Sequence, residues 1–216
     1  MVLKEMTLDE KMNLLHGHGM PGWQDIPKRL SRERGTGFVL GVPRLGIPMI
    51  HMSDAAYGVR SSAQNARYST ALPWNIAAAA SWDTNAACEY GALIGRELRE
   101  RLQHDARWWR EYNSRAAQRQ DFRRPGRRPI LAGTLVGNRI KCEQAQHVIG
   151  DIKHYAVSEQ ESGRNGVNAT ISKRAMRESD LLAFEIGIEI GNPAAVTCSY
   201  NAVNGHLRLR EQLPAN

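Results

Sequence analysis

Apolar positions along this chain fall into short clusters whose period switches between that of a helix and that of a strand. Thr7-Leu8-Asp9-Glu10 has the form of a capping box, and Met12, Leu14 and Leu15 give the short helix it opens an inner face. Gly17 and Gly19 end that helix, and residues 17–46, rich in Gly, Pro and Arg, predict a long irregular loop. Ile47 to Met52 is an apolar run after Pro43 and Gly46, short enough for a buried strand that delivers Ser53-Asp54. Ala71 to Ala80 is a segment of small residues. Ser81 is placed to cap a helix of about 18 residues carrying Ala86, Ala87, Tyr90, Leu93, Ile94 and Leu98 at helical spacing.

The alternation resumes further along. Ile130 to Ala145 predicts a helix, and Val148 to Ile152 a second strand with Lys153-His154 at its end. Met176 to Ile190 predicts a helix stopped near Gly191-Asn192-Pro193. Ala194 to Ser199 is a third strand, delivering Tyr200-Asn201. Strands alternating with helices, with polar residues just beyond the strand ends, point to an α/β fold: an incomplete TIM-like (β/α) barrel.

A chain of 216 residues with 42% hydrophobic and 24% charged residues has the composition of one globular domain. Its charge is uneven. Residues 101–128 hold nine arginines (101, 107, 110, 115, 119, 123, 124, 127 and 128) against Asp105, Glu111 and Asp121. That is nine minus three, or +6 of the formal +7, with Trp108 and Trp109 in the middle and no apolar period. Cys88, Cys142 and Cys198 make no metal-ligand spacing and are expected as three buried thiols. No metal or other cofactor is expected. No run reaches the ~20 apolar residues of a membrane span, and no secretory leader is visible, so the cytoplasm is the default expectation.

Asp54, Lys153, His154 and Tyr200 are the candidate substrate-binding residues. Each has an ordinary reading alone: a turn-forming Asp, a solvated Lys-His pair, a core Tyr. Gathered at one end of a barrel, an acidic acceptor, cationic donors and a phenol supply what sugar hydroxyls need. The chain here resembles glycoside hydrolase family 3, the β-glucosidase and β-xylosidase group. The likeness is carried by Met6-Thr7-Leu8-Asp9-Glu10-Lys11-Met12, by Gly41-Val42-Pro43-Arg44-Leu45-Gly46-Ile47-Pro48, and by Asp54 with Gly58-Val59-Arg60. It continues through Ala71-Leu72-Pro73, Ser81-Trp82-Asp83, Lys153-His154-Tyr155, Gln160-Glu161 and Ser199-Tyr200-Asn201-Ala202-Val203-Asn204-Gly205. The resemblance implies a retaining hydrolase of O-glycosyl bonds acting on a terminal β-linked sugar, a β-glucoside or β-xyloside. Asp54 would hold the hydroxyls of that sugar, Lys153 and His154 would donate to it, and Tyr200 would lie beside the nucleophile. Asp54-Ala55-Ala56 replaces the family's usual Asp-Gly-Pro, and Thr197 falls where a Met is often found.

Between Glu100 and Pro129 the family's glycine-rich strand, Arg-Asn-Gly-Arg and Glu-Asp-Pro are missing. Residues 102–128 read as that segment in a neighbouring frame: glycine codons displaced by one base give Arg107-Trp108-Trp109 and the start of Arg110. With codons chosen freely, the displaced reading also yields Val-Asn-Ile-Thr-Arg-Glu-Pro-Arg-Asn-Gly-Arg and rejoins at Pro129-Ile130. Leu207 to Ala215 behaves alike, so residues 1–206 are expected as a partial barrel domain interrupted at 102–128, and 207–216 as an out-of-frame tail. Such an insert is expected to leave a gap in place of one strand, and to remove the family's sugar-binding arginine. The family's nucleophilic Asp, in a Ser-Asp-Trp motif, and its acid/base Glu are not met before Asn216, so no catalytic residue is assigned and turnover is not expected. A non-catalytic carbohydrate-binding remnant is one alternative. A basic nucleic-acid arm at 101–128 is another, but no known binding module is present, and neither nucleic acid nor membrane is expected as a partner.

Overall fold

The structure, a computed structural model, describes residues 2–15, 17, 37–59, 69–103, 111–116, 128–160 and 162–206. Arg60, Trp108, Trp109, Glu161 and the tail 207–216 lie outside these residues, as does most of the loop expected at 17–46. One five-stranded sheet runs in the order β1 (Gly37–Val39), β2 (Ile50–Asp54), β3 (Glu111–Ala116), β4 (Ile149–Tyr155) and β6 (Ala195–Cys198). β1 is antiparallel to β2 and every other pair is parallel. Parallel neighbours require a crossover, and helices supply each one. α3 (Thr84–Gln103) joins β2 to β3, α4 (Pro129–Gln144) joins β3 to β4, and α5 (Lys173–Glu178) with α6 (Asp180–Gly191) joins β4 to β6. This is an arc of the expected β/α barrel. A two-stranded sheet of β5 (Asn168–Ala169) and β7 (Ala202–Val203) ties together the segments beyond β4 and β6.

Two clusters of buried side chains hold the helices to the sheet. Ala55, Val59, Tyr90, Ile94, Leu98 and Val148 form one under α3, and Val136, Ile140, Ile152, Ala156, Val157 and Phe184 the other, between β4, α4 and α6. Leu98 and Ile140 are fully buried, each contributing about 1.5–3 kcal/mol. α3 and α4 meet backbone to backbone: a Cβ on Gly91 would lie 2.0 Å from the Arg139 carbonyl oxygen. Only glycine permits that approach.

Several expectations hold and several are corrected. The capping box at α1 (Leu8–Leu15) is present: Thr7 N donates to Glu10 Oε2 at 2.8 Å, and Glu10 N to Thr7 Oγ1 at 3.3 Å. The guanidinium of Arg44 grips the same carboxylate through Nε and Nη2 at 2.7 and 2.6 Å, which holds Glu10 well below the usual carboxylate range, at about 2. The expected inner face of α1 is not covered by the described residues, with Met12 and Leu15 51% and 80% exposed. Ser81 does not cap α3. It ends α2 (Asn75–Ala80), and Asp83 is the cap, its Oδ1 accepting from Asn85 N and Ala86 N at 2.8 and 3.3 Å. The single helix expected over Met176–Ile190 is two. Ser172 caps α5 by accepting from Ala175 N at 3.1 Å, and Ser179, whose Oγ donates to Ala175 O at 2.6 Å, breaks the run before α6. Side-chain to backbone bonding by serine competes with the helix ladder at that point.

The arginine-rich stretch does not leave a gap. It supplies β3, paired with β2 on one side and β4 on the other. A ladder is built from backbone N–H and C=O groups, and Glu111 to Ala116 contains no proline to interrupt it. The three expected thiols are also corrected: Cys88 on α3 is bonded to Cys142 on α4 across 54 positions, and Cys198 is free among the described residues. The close approach at Gly91 brings the two helices within disulfide reach, which spacing along the chain does not reveal.

Candidate functional site

Strand alternation decides which side chains face the inside of the arc. Along β4, Gly150 and Ile152 turn toward α4, so Asp151 and Lys153 share the opposite face. Along β2, Asp54 shares that inner face and reaches Lys153 across β3: Nζ donates to Asp54 Oδ1 at 2.6 Å. The Lys153 side chain is 7% exposed and that of Asp54 34%. Backbone register pairs Arg115 of β3 with Asp54 on one side and with Asp151 on the other.

A second layer lies one residue pair deeper. Thr197 Oγ1 on β6 donates to Asp151 Oδ2 at 2.7 Å, and Asp151 is 1% exposed. This gives the departure from Met at position 197 a physical sense. A thioether has no proton to offer a buried carboxylate.

His154 and Tyr200 form the other half of the site, their ring centroids 5.3 Å apart. The guanidinium carbon of Arg164 stands 4.2 Å from the Tyr200 ring centroid, a cation–π contact. The segments that carry these rings are tied together. Asn201 Nδ2 donates to Val157 O at 3.0 Å, and Val157 N donates to Asp180 Oδ1 at 3.3 Å. Burial pushes the Asp180 carboxyl up. The β-branched Val157 has φ 59°, a strained left-handed conformation fixed by those two bonds and by its own burial.

The four sequence-derived residues therefore fall into two pairs, Asp54 with Lys153 and His154 with Tyr200, joined through the adjacent positions 153 and 154 at the C-terminal ends of the strands. Sequence reasoning missed Arg164, in a polar turn with no pattern, and the Asp151–Thr197 pair, which alternation alone could have placed beside Lys153.

The sequence profile of the glycosyl hydrolase family 3 N-terminal domain matches residues 33–215. β-Glucosidase B of Emericella nidulans is 34% identical over 209 residues, covering 94% of this chain and 22% of that enzyme. Thermostable β-glucosidase B of Acetivibrio thermocellus is 29% identical, covering 94% of this chain and 26% of its own length. Among solved structures, β-glucosidase 3B of Thermotoga neapolitana in complex with glucose superposes with a TM-score of 0.79 at 32% identity, over 94% of this chain and 29% of that one. DesR, a β-glucosidase of Streptomyces venezuelae in complex with D-glucose, gives 0.74 at 31% identity, over 94% and 24%. The chain thus spans about a quarter of the length of the curated relatives it matches. With the inner row of Asp54 and Lys153 at the strand ends of a β/α arc, these matches converge, and the chain belongs to glycosyl hydrolase family 3, within its N-terminal domain.

Proposed function

We propose that this chain forms the sugar-holding face of a retaining β-glucosidase and binds the terminal glucosyl unit of a β-glucoside. The carrying observation is the 2.6 Å Asp54–Lys153 pair, its carboxylate side chain 34% exposed, with the packed His154, Tyr200 and Arg164 following in the chain. A carboxylate offers several acceptor lone pairs, which suits it to the hydroxyls of a sugar. Lys153 and His154 offer donors to a third, and the Tyr200 ring closes the side. Retaining chemistry needs two carboxyl groups about 5–5.5 Å apart, one of them free to attack. Asp54 is engaged with Lys153, and Asp151 is buried against Thr197, so neither is assigned as the attacking carboxylate. Residues 102–128 are read as the family's strand and loop carried in a neighbouring frame. What supports this is that β3 overlaps residues 110–114, whose codons can be chosen to spell Val-Asn-Ile-Thr in that frame.

Titration calorimetry with glucose tests the binding role. Asp54→Asn keeps the shape but removes the charge, and the loss of two charge-assisted bonds at about 1.5 kcal/mol each predicts a roughly hundredfold weaker affinity. Unchanged glucose affinity in Asp54→Asn would sink this assignment.

A further inference from the structure

The small sheet of β5 and β7 carries a feature that sugar binding does not use. Strand β5 opens the triplet Asn168-Ala169-Thr170, the only Asn-X-Ser or Asn-X-Thr in the 216 residues. Alternation along an extended chain sets its side chains apart. Ala169 and Ile171 pack against the buried cluster that contains Ile152, Val157 and Phe184, so Asn168 and Thr170 point the other way, and both are exposed. Their surroundings are open as well. Gly166, Asn204 and Gly205 are exposed, and a Cβ on Gly205 would meet nothing within 4 Å.

The backbone under the triplet is fixed. Ala202 N donates to Val167 O at 2.9 Å, and Asn204 N to Ala169 O at 2.8 Å. Asn204 then brackets Ile171: its Oδ1 accepts from Ile171 N at 3.0 Å and its Nδ2 donates to Ile171 O at 2.9 Å. The Asn168 amide is used on one side only. Its Oδ1 accepts from Gly205 N at 2.8 Å, while its Nδ2 makes no hydrogen bond among the described residues. A substituent on an amide nitrogen leaves the carbonyl and one N–H in place, so the bond to Gly205 survives a modification at Nδ2. An independent pointer is the Cys88–Cys142 bond. Disulfides form and persist in the secretory lumen and outside the cell, and sugars on the Asn-X-Thr pattern belong to chains of the same route.

We propose that Asn168 is an acceptor of N-linked glycosylation, with an oligosaccharide on a polyprenyl diphosphate as the donor. In the transfer, Asn168 Nδ2 attacks the anomeric carbon of the first sugar. An N–C bond forms, the C–O bond to the diphosphate breaks, the lipid diphosphate departs, and the amide gives up one proton. No redox change is involved. The glycan then stands on the solvent face of β5, where a bulky, hydrated group displaces nothing from the core.

Translating the chain behind a cleavable leader into endoplasmic-reticulum microsomes tests this, read on the protease-protected fraction. One discrete step up in mass is expected, reversed by peptide N-glycosidase. Thr170→Ala leaves Asn168 and its bond to Gly205 in place but removes the hydroxyl that the transferase reads, so the step should vanish. Thr170→Ser should restore it. The glycosylated protein and the unmodified Thr170→Ala protein should melt alike. A protected wild-type chain of unshifted mass, or a step that persists in Thr170→Ala, would overturn the site. A glycosylated chain that melts well below Thr170→Ala would overturn the placement of the sugar on a folded β5.

Discussion

Glu143, on α4, is fully buried, and neither carboxylate oxygen has a hydrogen-bond partner among the described residues. Burial pushes its pKa from 4.5 to about 8; the nearby Asp151 carboxylate adds to the rise, and Arg139, one helical turn earlier, opposes it. The native state therefore keeps a proton that the unfolded chain releases between pH 4.5 and about 8. Stability falls as pH rises through that window, by up to about 1.4 kcal/mol per unit. Glu143→Gln is expected to flatten the decline and to melt at a higher temperature than the wild type at pH 8. Thermal unfolding followed by circular dichroism at several pH values checks this, and parallel curves for the two proteins would refute it. Individual residues were unevenly legible in the sequence. Asp54, Lys153, His154 and Tyr200 stood at the ends of apolar runs, which is where a barrel gathers its chemistry. Glu143 gave no such sign, because one acid on a helix of mixed character looks like any solvated one.

At the scale of elements, helices with strong caps and strands with continuous apolar runs were readable, and their boundaries followed local chemistry. Asp83 outcompeted Ser81 as the cap of α3 because its carboxylate reaches two backbone N–H groups. β1 and β3 were not readable. β1 is a three-residue antiparallel strand within a glycine-rich stretch, and β3 has the polar sequence Glu-Tyr-Asn-Ser-Arg-Ala with no period-two pattern. Neighbouring strands specify β3 by offering ladders on both of its sides. The displaced-frame reading predicts that the coding DNA, read one base over between Leu102 and Arg128, spells a glycine run followed by Val-Asn-Ile-Thr-Arg. Codons incompatible with that spelling would exclude it, and β3 would then be a strand native to this frame.

Among the described residues the larger sheet is an arc of four parallel strands with one antiparallel companion, and β1 and β6 are its outer strands. Val196 on β6 is 46% exposed, in contrast to the 1% exposed Ile152 on β4, which lies under α4 and α6. Outer strands of a sheet carry unpaired backbone groups and are points of weakness. The barrel-like order was legible from the alternation of periods. What escaped was the cross-link between α3 and α4, because it depends on helix proximity and not on sequence spacing. Closing 54 positions removes about 4 kcal/mol worth of disorder from the unfolded chain on the loop-closure account, and a bond of this kind persists under oxidising conditions.

The Cys88–Cys142 bond straddles all nine arginines between positions 101 and 128. Trypsin severs peptide bonds after arginine, so a nick anywhere in that interval would leave an amino-terminal and a carboxyl-terminal portion still shackled through sulfur. A brief digest run on a denaturing gel without thiol is expected to show one band near 24.2 kDa, resolving into two shorter bands once dithiothreitol is added. Two separate bands before the thiol is added, with masses that match cleavage between Arg101 and Arg128, would mean that the halves were never chained to each other.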